Sequence, residues 1–292
     1  MKRNVYAAVA VILGTMMLGA CGTGNGNGNA EGVSKEGENQ GGQKLEDEAA
    51  KEQELAEEQG VAGQQTEEAE AAGNIYVEME ESVMEFKAED GTVVLKVDRT
   101  MPVITISAHE ESAAAMNEYM NNMFPEYDEE MLETAKEAYA DLGIENWHEF
   151  ASGTAFLSER TDSEVISFTI TSYWDMGGAH PNSVRSGLNF RTADGKRLTL
   201  EDVTMDKEAA TAAINEFLLA ETKKKEEEYE GMFFEGYEES IADILTEDSW
   251  YLGEDGFHII VNEYIISPHA AGILDFAVPY AEAGFLKEEF RK

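Results

Sequence analysis

Apolar and polar residues alternate in several short runs between residues 80 and 279, and this pattern predicts half-buried β-strands. The clearest runs are residues 92–106, 165–174 and 183–191. Shorter runs at 80–87, 154–158, 196–200, 250–252, 256–261 and 274–279 also read as strands. Asp90-Gly91 and Asp255-Gly256 lie between such runs, and Asp-Gly favours the tight turns of β-hairpins. We therefore expect strands that are joined by hairpins.

Helical spacing of apolar residues replaces this alternation in separate blocks. It predicts helices over residues 110–123, 128–142 and from Thr204 or Asp206 to about 224, with shorter ones at 237–245 and 281–290. Met116 and Met120 share one face of the first helix, which indicates a buried side. Strands in hairpin groups with helices in blocks predict an α+β fold, with an antiparallel sheet built from hairpins and helices packing on it.

The N-terminus has the pattern of an export signal. A positive start at Lys2 and Arg3 precedes an apolar run from Tyr6 to Leu18, and Leu18-Gly19-Ala20-Cys21 ends it. This ending resembles a lipobox, which implies a signal peptide over residues 1–20 and diacylation of Cys21. Two acyl chains anchor a protein stably. We expect a lipid-anchored protein on the extracytoplasmic face of the cell membrane.

The segment after the cysteine differs sharply from the rest of the chain. Residues 22–73 contain no aromatic residue and are rich in Gly, Gln, Ala and Glu. Such a composition buries too little apolar surface to offset the entropy of ordering, so residues 21–73 are predicted to be a lipidated cysteine followed by a disordered acidic tether. Residues 74–292 remain for the folded region.

Charge and cysteine content exclude several functions. The formal net charge is −39, which disfavours nucleic acid and anionic surfaces as partners but suits a cationic protein. Cys21 is the single cysteine, so a disulfide, a thiolate nucleophile and a cysteine zinc site are excluded from the folded region. No catalytic, metal-binding or phosphate-binding motif is recognisable, and we expect no cofactor.

The segment Ser172 to Asn182 combines a predicted strand end, a Gly-Gly loop and a histidine before proline. One interpretation places Asp175 and His180 at the mouth of the loop, where they would bind a metal or carry protons. The other interpretation is a tight connection in which His180 bonds backbone groups. The residues alone leave both interpretations open.

Three motifs resemble one known family. They are Gly177-Gly178-Ala179-His180, Gly195-Lys196-Arg197-Leu198-Thr199-Leu200, and Tyr264-Ile265-Ile266-Ser267-Pro268 followed shortly by Ala270-Ala271-Gly272. They resemble the RsiV-like extracytoplasmic domain family, which includes the domain of a lysozyme-binding anti-sigma factor. Residues 80–156 resemble its companion domain, also seen in some peptidoglycan deacetylases. The resemblance predicts a companion α+β subdomain at 74–160 and an RsiV-like domain at 161–292.

The resemblance implies an α+β fold without known catalysis, and a binding or sensing role. We expect a non-enzymatic surface lipoprotein that binds a cell-envelope ligand, such as a peptidoglycan fragment, or a cationic protein such as lysozyme. The alternative is a carboxylate-dependent enzyme of cell-wall polysaccharide acting near Gly177 and Gly178, since Asp and Glu are abundant.

The two segments that match the family most closely are both loops at strand ends, where binding residues are often carried on a rigid scaffold. We predict the ligand-binding residues there, and expect no metal ligand and no catalytic residue among them. They are His180, Asn182, Tyr264, Pro268 and His269. A competing explanation is that the fold itself needs these loops.

Overall fold

The computed structural model describes residues 74–124 and 127–292, and these residues lie within one compact unit. The predicted signal peptide, Cys21 and the predicted tether lie outside the described residues. Within the described part of the chain, no helix is both long enough and apolar enough to cross a membrane.

The described chain alternates groups of strands with groups of helices. The strands are β1 (Ile75–Lys87), β2 (Val93–Ile106), β3 (Phe150–Thr161), β4 (Val165–Asp175), β5 (Asn182–Arg191), β6 (Trp250–Leu252), β7 (Gly256–Val261) and β8 (Leu274–Pro279). The α-helices are α1 (Glu110–Met123), α2 (Glu129–Leu142), α3 (Leu200–Val203), α4 (Lys207–Glu228) and α5 (Ile241–Ile244). Short 3-10 helices span Ile144–Asn146, Tyr237–Ser240, His269–Ala271 and Glu288–Phe290.

The strands form two sheets. The larger sheet has the order β1-β2-β3-β4-β5, and the smaller has the order β6-β7-β8. All neighbours are antiparallel except β2 and β3, which are parallel because the block of α1 and α2 carries the chain back between them. The predicted α+β fold is confirmed, and the larger sheet differs from the expectation only in this one pair.

One face of β4 and β5 packs against α1. Alternating residues of both strands are buried there with the methionine side of the helix, as the helical spacing predicted: Ile166, Phe168, Ile170, Leu188, Phe190, Met116 and Met120. A separate buried cluster joins α2 to β2 and β3 through Leu132, Ala135, Leu95, Val97 and Phe150. The helices therefore cover part of the larger sheet.

The opposite face of β4 and β5 receives the smaller sheet. The Ser167 hydroxyl donates to the carbonyl oxygen of Leu252 at 2.5 Å, and the Asn189 side chain accepts from Leu252 N at 2.8 Å. Helix α4 and the smaller sheet share the largest apolar cluster, which includes Ile214, Leu218, Trp250, Phe257 and Phe276. This packing fixes the position of β7 and β8 relative to β5.

Helix ends agree with the sequence patterns. Asp128 accepts hydrogen bonds from the backbone of Glu130 and Met131, and Gly143 ends α2 with a φ of 70°. Asp206 caps α4 by accepting from Ala209 N. Helix α4 continues to Glu228, four residues beyond the expected end.

Two predicted elements are wrong. Residues 196–200 do not form the predicted strand: Arg197 makes a single antiparallel bridge to Phe190, and Thr199 then starts a capping box that begins α3 at Leu200. Residues 281–290 form no α-helix; the backbone there instead bonds to the chain around α3, through Met205 N to Phe285 O and Lys287 N to Val203 O. Long-range pairing takes the place of local helix propensity at this end.

The predicted subdomain boundary at residues 160 and 161 falls at the end of β3, which pairs with β4 across it within one sheet. The division into 74–160 and 161–292 remains a prediction.

Candidate functional site

The structure brings the two predicted loops together. The Gly177 loop (residues 176–181) connects β4 to β5, and the Tyr264 loop (residues 262–273) connects β7 to β8. Asn262 ties the Tyr264 loop to β5 just after the Gly177 loop, because its side chain accepts from Arg185 N at 2.7 Å and donates to Arg185 O at 2.9 Å. The Asn262 amide bonds the N–H and the carbonyl of Arg185 on β5, as the backbone of a neighbouring strand would. These bonds hold the Tyr264 loop beside the Gly177 loop.

His180 lies at the centre of the meeting point. Its Nδ1 is 2.8 Å from the carbonyl oxygen of Pro181, and its Nε2 is 3.2 Å from the hydroxyl of Tyr264. A carbonyl oxygen only accepts hydrogen bonds, so Nδ1 carries the proton. In the neutral imidazole, Nε2 then accepts from the Tyr264 hydroxyl. The interpretation in which His180 bonds the backbone is therefore met, and His180 also reaches across to the second loop. Its role in binding a metal or carrying protons stays a prediction.

The ring of His269 stacks on that of His180, with centroids 4.0 Å apart and an angle of 11° between planes. His269 Nδ1 donates to Glu263 Oε2 at 2.5 Å. Glu263 is buried, so this bond fixes the orientation of the ring. The ring of Tyr264 lies nearly parallel to that of His269, at 6.2 Å between centroids.

Tyr264 has an unusual backbone conformation. Its φ is 64°, and it is the one non-glycine residue with positive φ in the described part of the chain. A bulky residue in this left-handed region costs on the order of 1 kcal/mol or more and persists only where the surroundings enforce it. Tyr264 N donates to Ser267 O at 2.9 Å, which closes the turn. Such strain is typical of sites where a side chain is held for binding.

Exposed apolar side chains lie next to the cluster. Tyr264, Ile265 and Phe234 keep 45%, 43% and 41% of their surface exposed. Phe234 N donates to Ile266 O at 2.9 Å, so its loop lies directly against the Tyr264 loop. Glu226 holds that loop by accepting from Gly231 N and Phe233 N. We call the set of His180, His269, Tyr264, Ile265 and Phe234 the two-loop surface.

The other predicted residues have different positions. Asn182 lies at the start of β5, opposite Trp174 of β4, and Pro268 precedes the 3-10 helix His269–Ala271. Among the described residues, no hydrogen bond joins the side chain of Asn182 to the rings of the cluster. Asp175 accepts from Gly177 N at 2.9 Å and so shapes its own loop. The structure groups His180, Tyr264 and His269, and leaves Asn182 and Pro268 as supporting neighbours.

The strand beneath the Gly177 loop is fixed by a polar contact. The Tyr173 hydroxyl donates to Asp98 Oδ2 at 2.9 Å. Burial and this bond raise the pKa of Tyr173 to about 12, so the phenol remains protonated at neutral pH. Gly153 lies against the Tyr173 ring, where any added Cβ would come within 2.2 Å of a ring carbon. The loop therefore rises from a rigid part of the sheet.

The two-loop surface offers stacked rings, exposed apolar groups and a few hydrogen-bonding atoms. These features suit recognition by contact and stacking. Sequence reasoning missed Glu263, Ile265 and Phe234. Glu263 and Ile265 flank the predicted Tyr264, so the sequence did identify the segment that contains them. The position of Phe234 next to this segment depends on tertiary structure. Among the described residues, no group of three or more His, Cys, Asp or Glu has an arrangement that could hold a metal ion.

Two family models match separate parts of the chain. Residues 201–281 match a family described as a protein of unknown function, DUF3298. Residues 88–183 match a family described as deacetylase PdaC. The chain therefore contains a DUF3298-like region and a PdaC-like region. No curated protein matches the chain significantly.

Two of the solved structures that match this chain are from bacteria. A DUF3298 family member from Bacteroides fragilis has a TM-score of 0.52 at 19% identity, covering 75% of this chain and 96% of that one. A DUF3298 family protein from Pseudomonas aeruginosa has a TM-score of 0.48 at 16% identity, covering 75% and 97%. At this level of identity, the first likeness supports the fold alone.

Proposed function

We propose that this chain is a non-enzymatic lipoprotein, anchored through Cys21 on the extracytoplasmic face of the membrane, which binds a cationic protein such as lysozyme through the two-loop surface. The RsiV-like family motifs, the signal-like N-terminus and the exposed cluster support this function together. A peptidoglycan fragment is the competing ligand.

One observation carries the binding site. Two loops that are 84 residues apart at the His180–Tyr264 contact form one exposed cluster, and the side chain that anchors it stands on a strained backbone. A fold that needed these loops only as connections would gain nothing from an exposed tyrosine at positive φ, where glycine is favoured. Aromatic residues held in this way commonly carry much of the energy of an interface.

Charge supports a cationic partner. The chain has a formal net charge of −39. Residues 226–239, which contribute Phe234 to the surface, contain seven glutamates. The apolar two-loop surface beside dense negative charge suits a partner protein that carries Lys and Arg around an apolar patch. The opposite charges would also speed association of the two proteins at low salt.

Binding by purified full-length chain tests this function, with lysozyme and soluble peptidoglycan fragments measured in parallel by interferometry. We expect Tyr264→Ala and His180→Ala each to weaken lysozyme binding about tenfold or more, since hot-spot truncations cost about 2 kcal/mol. Tyr76→Ala is the matched control, because Tyr76 is equally exposed on β1, far from both loops in sequence. Melting temperature is recorded for every variant.

Three results would contradict the proposal. They are undetectable lysozyme binding by the unmodified chain, equal binding by all variants, and loss of binding in step with loss of folding. If the chain bound peptidoglycan fragments but not lysozyme, the ligand of the two-loop surface would be a peptidoglycan fragment. Release of soluble sugar from peptidoglycan by the unmodified chain would favour the enzyme alternative.

The lipid anchor has its own test. We expect Cys21→Ala to abolish acyl labelling and to release the protein from the membrane fraction, because the thioether acyl chains form at this side chain. Cys21 is the only cysteine, so the substitution removes no other thiol. Unchanged labelling and retention would refute the anchor.

A further inference from the structure

A second polar cluster lies on the smaller sheet, where no sequence motif marks it. His258 of β7 has both ring nitrogens against carboxylates. Nδ1 is 2.8 Å from Asp275 Oδ1 on β8, and Nε2 is 2.8 Å from Asp255 Oδ1 in the turn between β6 and β7. The imidazole therefore bridges two parts of the sheet.

Hydrogen-bond chemistry restricts the protonation state of this ring. A neutral imidazole has one N–H donor and one lone-pair acceptor, whereas an ionised carboxylate only accepts. Two short contacts to carboxylate oxygens therefore require two N–H donors, which only the imidazolium has. A neutral ring would set a lone pair against a negatively charged oxygen at one of the two contacts.

The two carboxylates are held unequally. Asp275 Oδ2 also accepts from the hydroxyl of Tyr251 at 2.8 Å, and the Tyr251 ring stacks on His258 with centroids 4.5 Å apart. The Asp255 side chain is 77% exposed, whereas that of His258 is 14% exposed. In the described part of the chain, the hydrogen bonds of the Asp255 side chain go only to His258 and to the turn backbone, so the contact between Asp255 and His258 breaks first.

The charged groups around His258 come from four other elements. Asp255 lies in the turn, Asp275 on β8, Glu159 on β3 and Arg185 on β5, with the Tyr251 phenol on β6. Burial alone lowers the pKa of His258, but the bonds to Asp275 and Asp255 outweigh it, and the pKa is raised above 6.5. Burial raises the pKa of Glu159, more than the bond from Thr169 lowers it.

We infer that His258 is a proton-dependent latch: as an imidazolium it ties the β6–β7 turn to β8, and on losing its proton it releases Asp255 and loosens the turn. A histidine with a raised pKa in the folded state contributes stability that is fully present below pH 6.5. That contribution is lost as the pH rises through the folded-state pKa. The latch is closed in mildly acidic solution and open in alkaline solution.

Titration of the histidine ring signals by NMR in the purified full-length chain tests the latch. The chain has five histidines, and His258→Gln identifies the signal of interest by its absence. We expect the His258 midpoint to lie above pH 6.5, and Asp255→Asn to lower it by about one unit, since a carboxylate within hydrogen-bonding distance shifts a pKa by about 1–3 units. His148→Gln, at an exposed position, is the control and leaves that midpoint unchanged.

Hydrogen exchange at the turn provides the second readout. We expect amide protection at Gly253 and Gly256, measured relative to the turn amide of Gly195, to fall about tenfold across the His258 midpoint in the unmodified chain. In the Asp255→Asn variant, we expect the relative protection to stay the same at all pH values. The substituted side chain is exposed, so the change does not disturb the core. A midpoint at or below 6.5, a midpoint unaffected by Asp255→Asn, or protection independent of pH in the unmodified chain would overturn the latch.

Discussion

Single residues decide how closely the two sheets approach. Gly187 of β5 lies against the backbone of β6, where an added Cβ would be 1.9 Å from the carbonyl oxygen of Trp250. The side chain of Asn189 on β5 and the hydroxyl of its partner Ser167 on β4 both bond the backbone of β6. The absence of a side chain at Gly187 allows these bonds to form.

We expect Gly187→Ala to lower the free energy of unfolding by about 3 kcal/mol, at the upper end of the usual cost of overpacking, because a strand backbone cannot move aside as a flexible side chain can. Gly178→Ala is the control, since its Cβ would meet nothing closer than 3.8 Å. Chemical denaturation measures both. Equal stability of the two variants would show that the sheets separate easily.

Tyr264 shows how a residue acquires a role that its type does not suggest. Tyrosine has no preference for positive φ, yet its backbone adopts 64° here. The bond from Tyr264 N to Ser267 O and the contact of its hydroxyl with His180 accompany this conformation. The strain and the contact belong to the folded chain, and neither follows from the local sequence.

Elements were predictable where their signals are local. The ends of α1 and α2, and the bounds of β6, β7 and β8, follow from caps, turn residues and apolar periodicity. Predicted elements were wrong where contacts with a distant part of the chain determine the structure. Residues 281–290, for example, bond to the backbone around α3 instead of forming a helix. Propensity is a weak guide when a neighbouring segment offers hydrogen bonds.

The cap of α4 gives an element-scale prediction. We expect Asp206→Ala to cost about 1 kcal/mol in the free energy of unfolding, because it leaves the amide of Ala209 without its acceptor at the start of a 22-residue helix. Glu216→Ala, at an exposed position within the same helix, changes stability by less than about 0.5 kcal/mol. A loss that is no larger for Asp206→Ala than for this control would show that the cap contributes nothing.

At the scale of the whole molecule, buried Arg160 joins three parts of the chain. Its Nε donates to Asp162 Oδ2 at 2.6 Å, and its Nη1 donates to the Tyr280 hydroxyl at 2.9 Å and to Phe290 O at 2.8 Å. The end of β3, the residue after β8 and the C-terminal segment therefore meet at one guanidinium. Planar geometry and several donors suit arginine to this position.

We expect Arg160→Met to cost about 3 kcal/mol, because it leaves the Asp162 carboxylate and two further acceptors without their charged donor. Arg191→Met removes an exposed pair with Asp194 instead and costs less than about 1 kcal/mol. Thermal and chemical unfolding of both variants provide the comparison. An Arg160→Met chain as stable as Arg191→Met would show that the C-terminal segment is held without help from this guanidinium.

The candidate site was predictable in part. Family-like motifs and loop positions identified His180, Tyr264 and His269, and the structure groups all three. Phe234 lies 30 residues before Tyr264 in a loop with no distinguishing motif, and its place beside Ile266 results from one long-range backbone bond. The His258 cluster could not be predicted for the same reason, since Asp255, His258 and Asp275 are unremarkable until β7, β8 and the turn before β7 bring them together.

The sequence by itself determined the α+β class, most strand and helix positions, the acidic character and the export-like N-terminus, because these follow from periodicity, caps and composition, which act over a few residues. Tertiary structure alone decided the parallel pairing of β2 and β3, the meeting of the two loops at Asn262 and Arg185, and the double carboxylate contact of His258. Each of these depends on a contact between parts of the chain that only the fold brings together, and short-range patterns carry no information about such contacts.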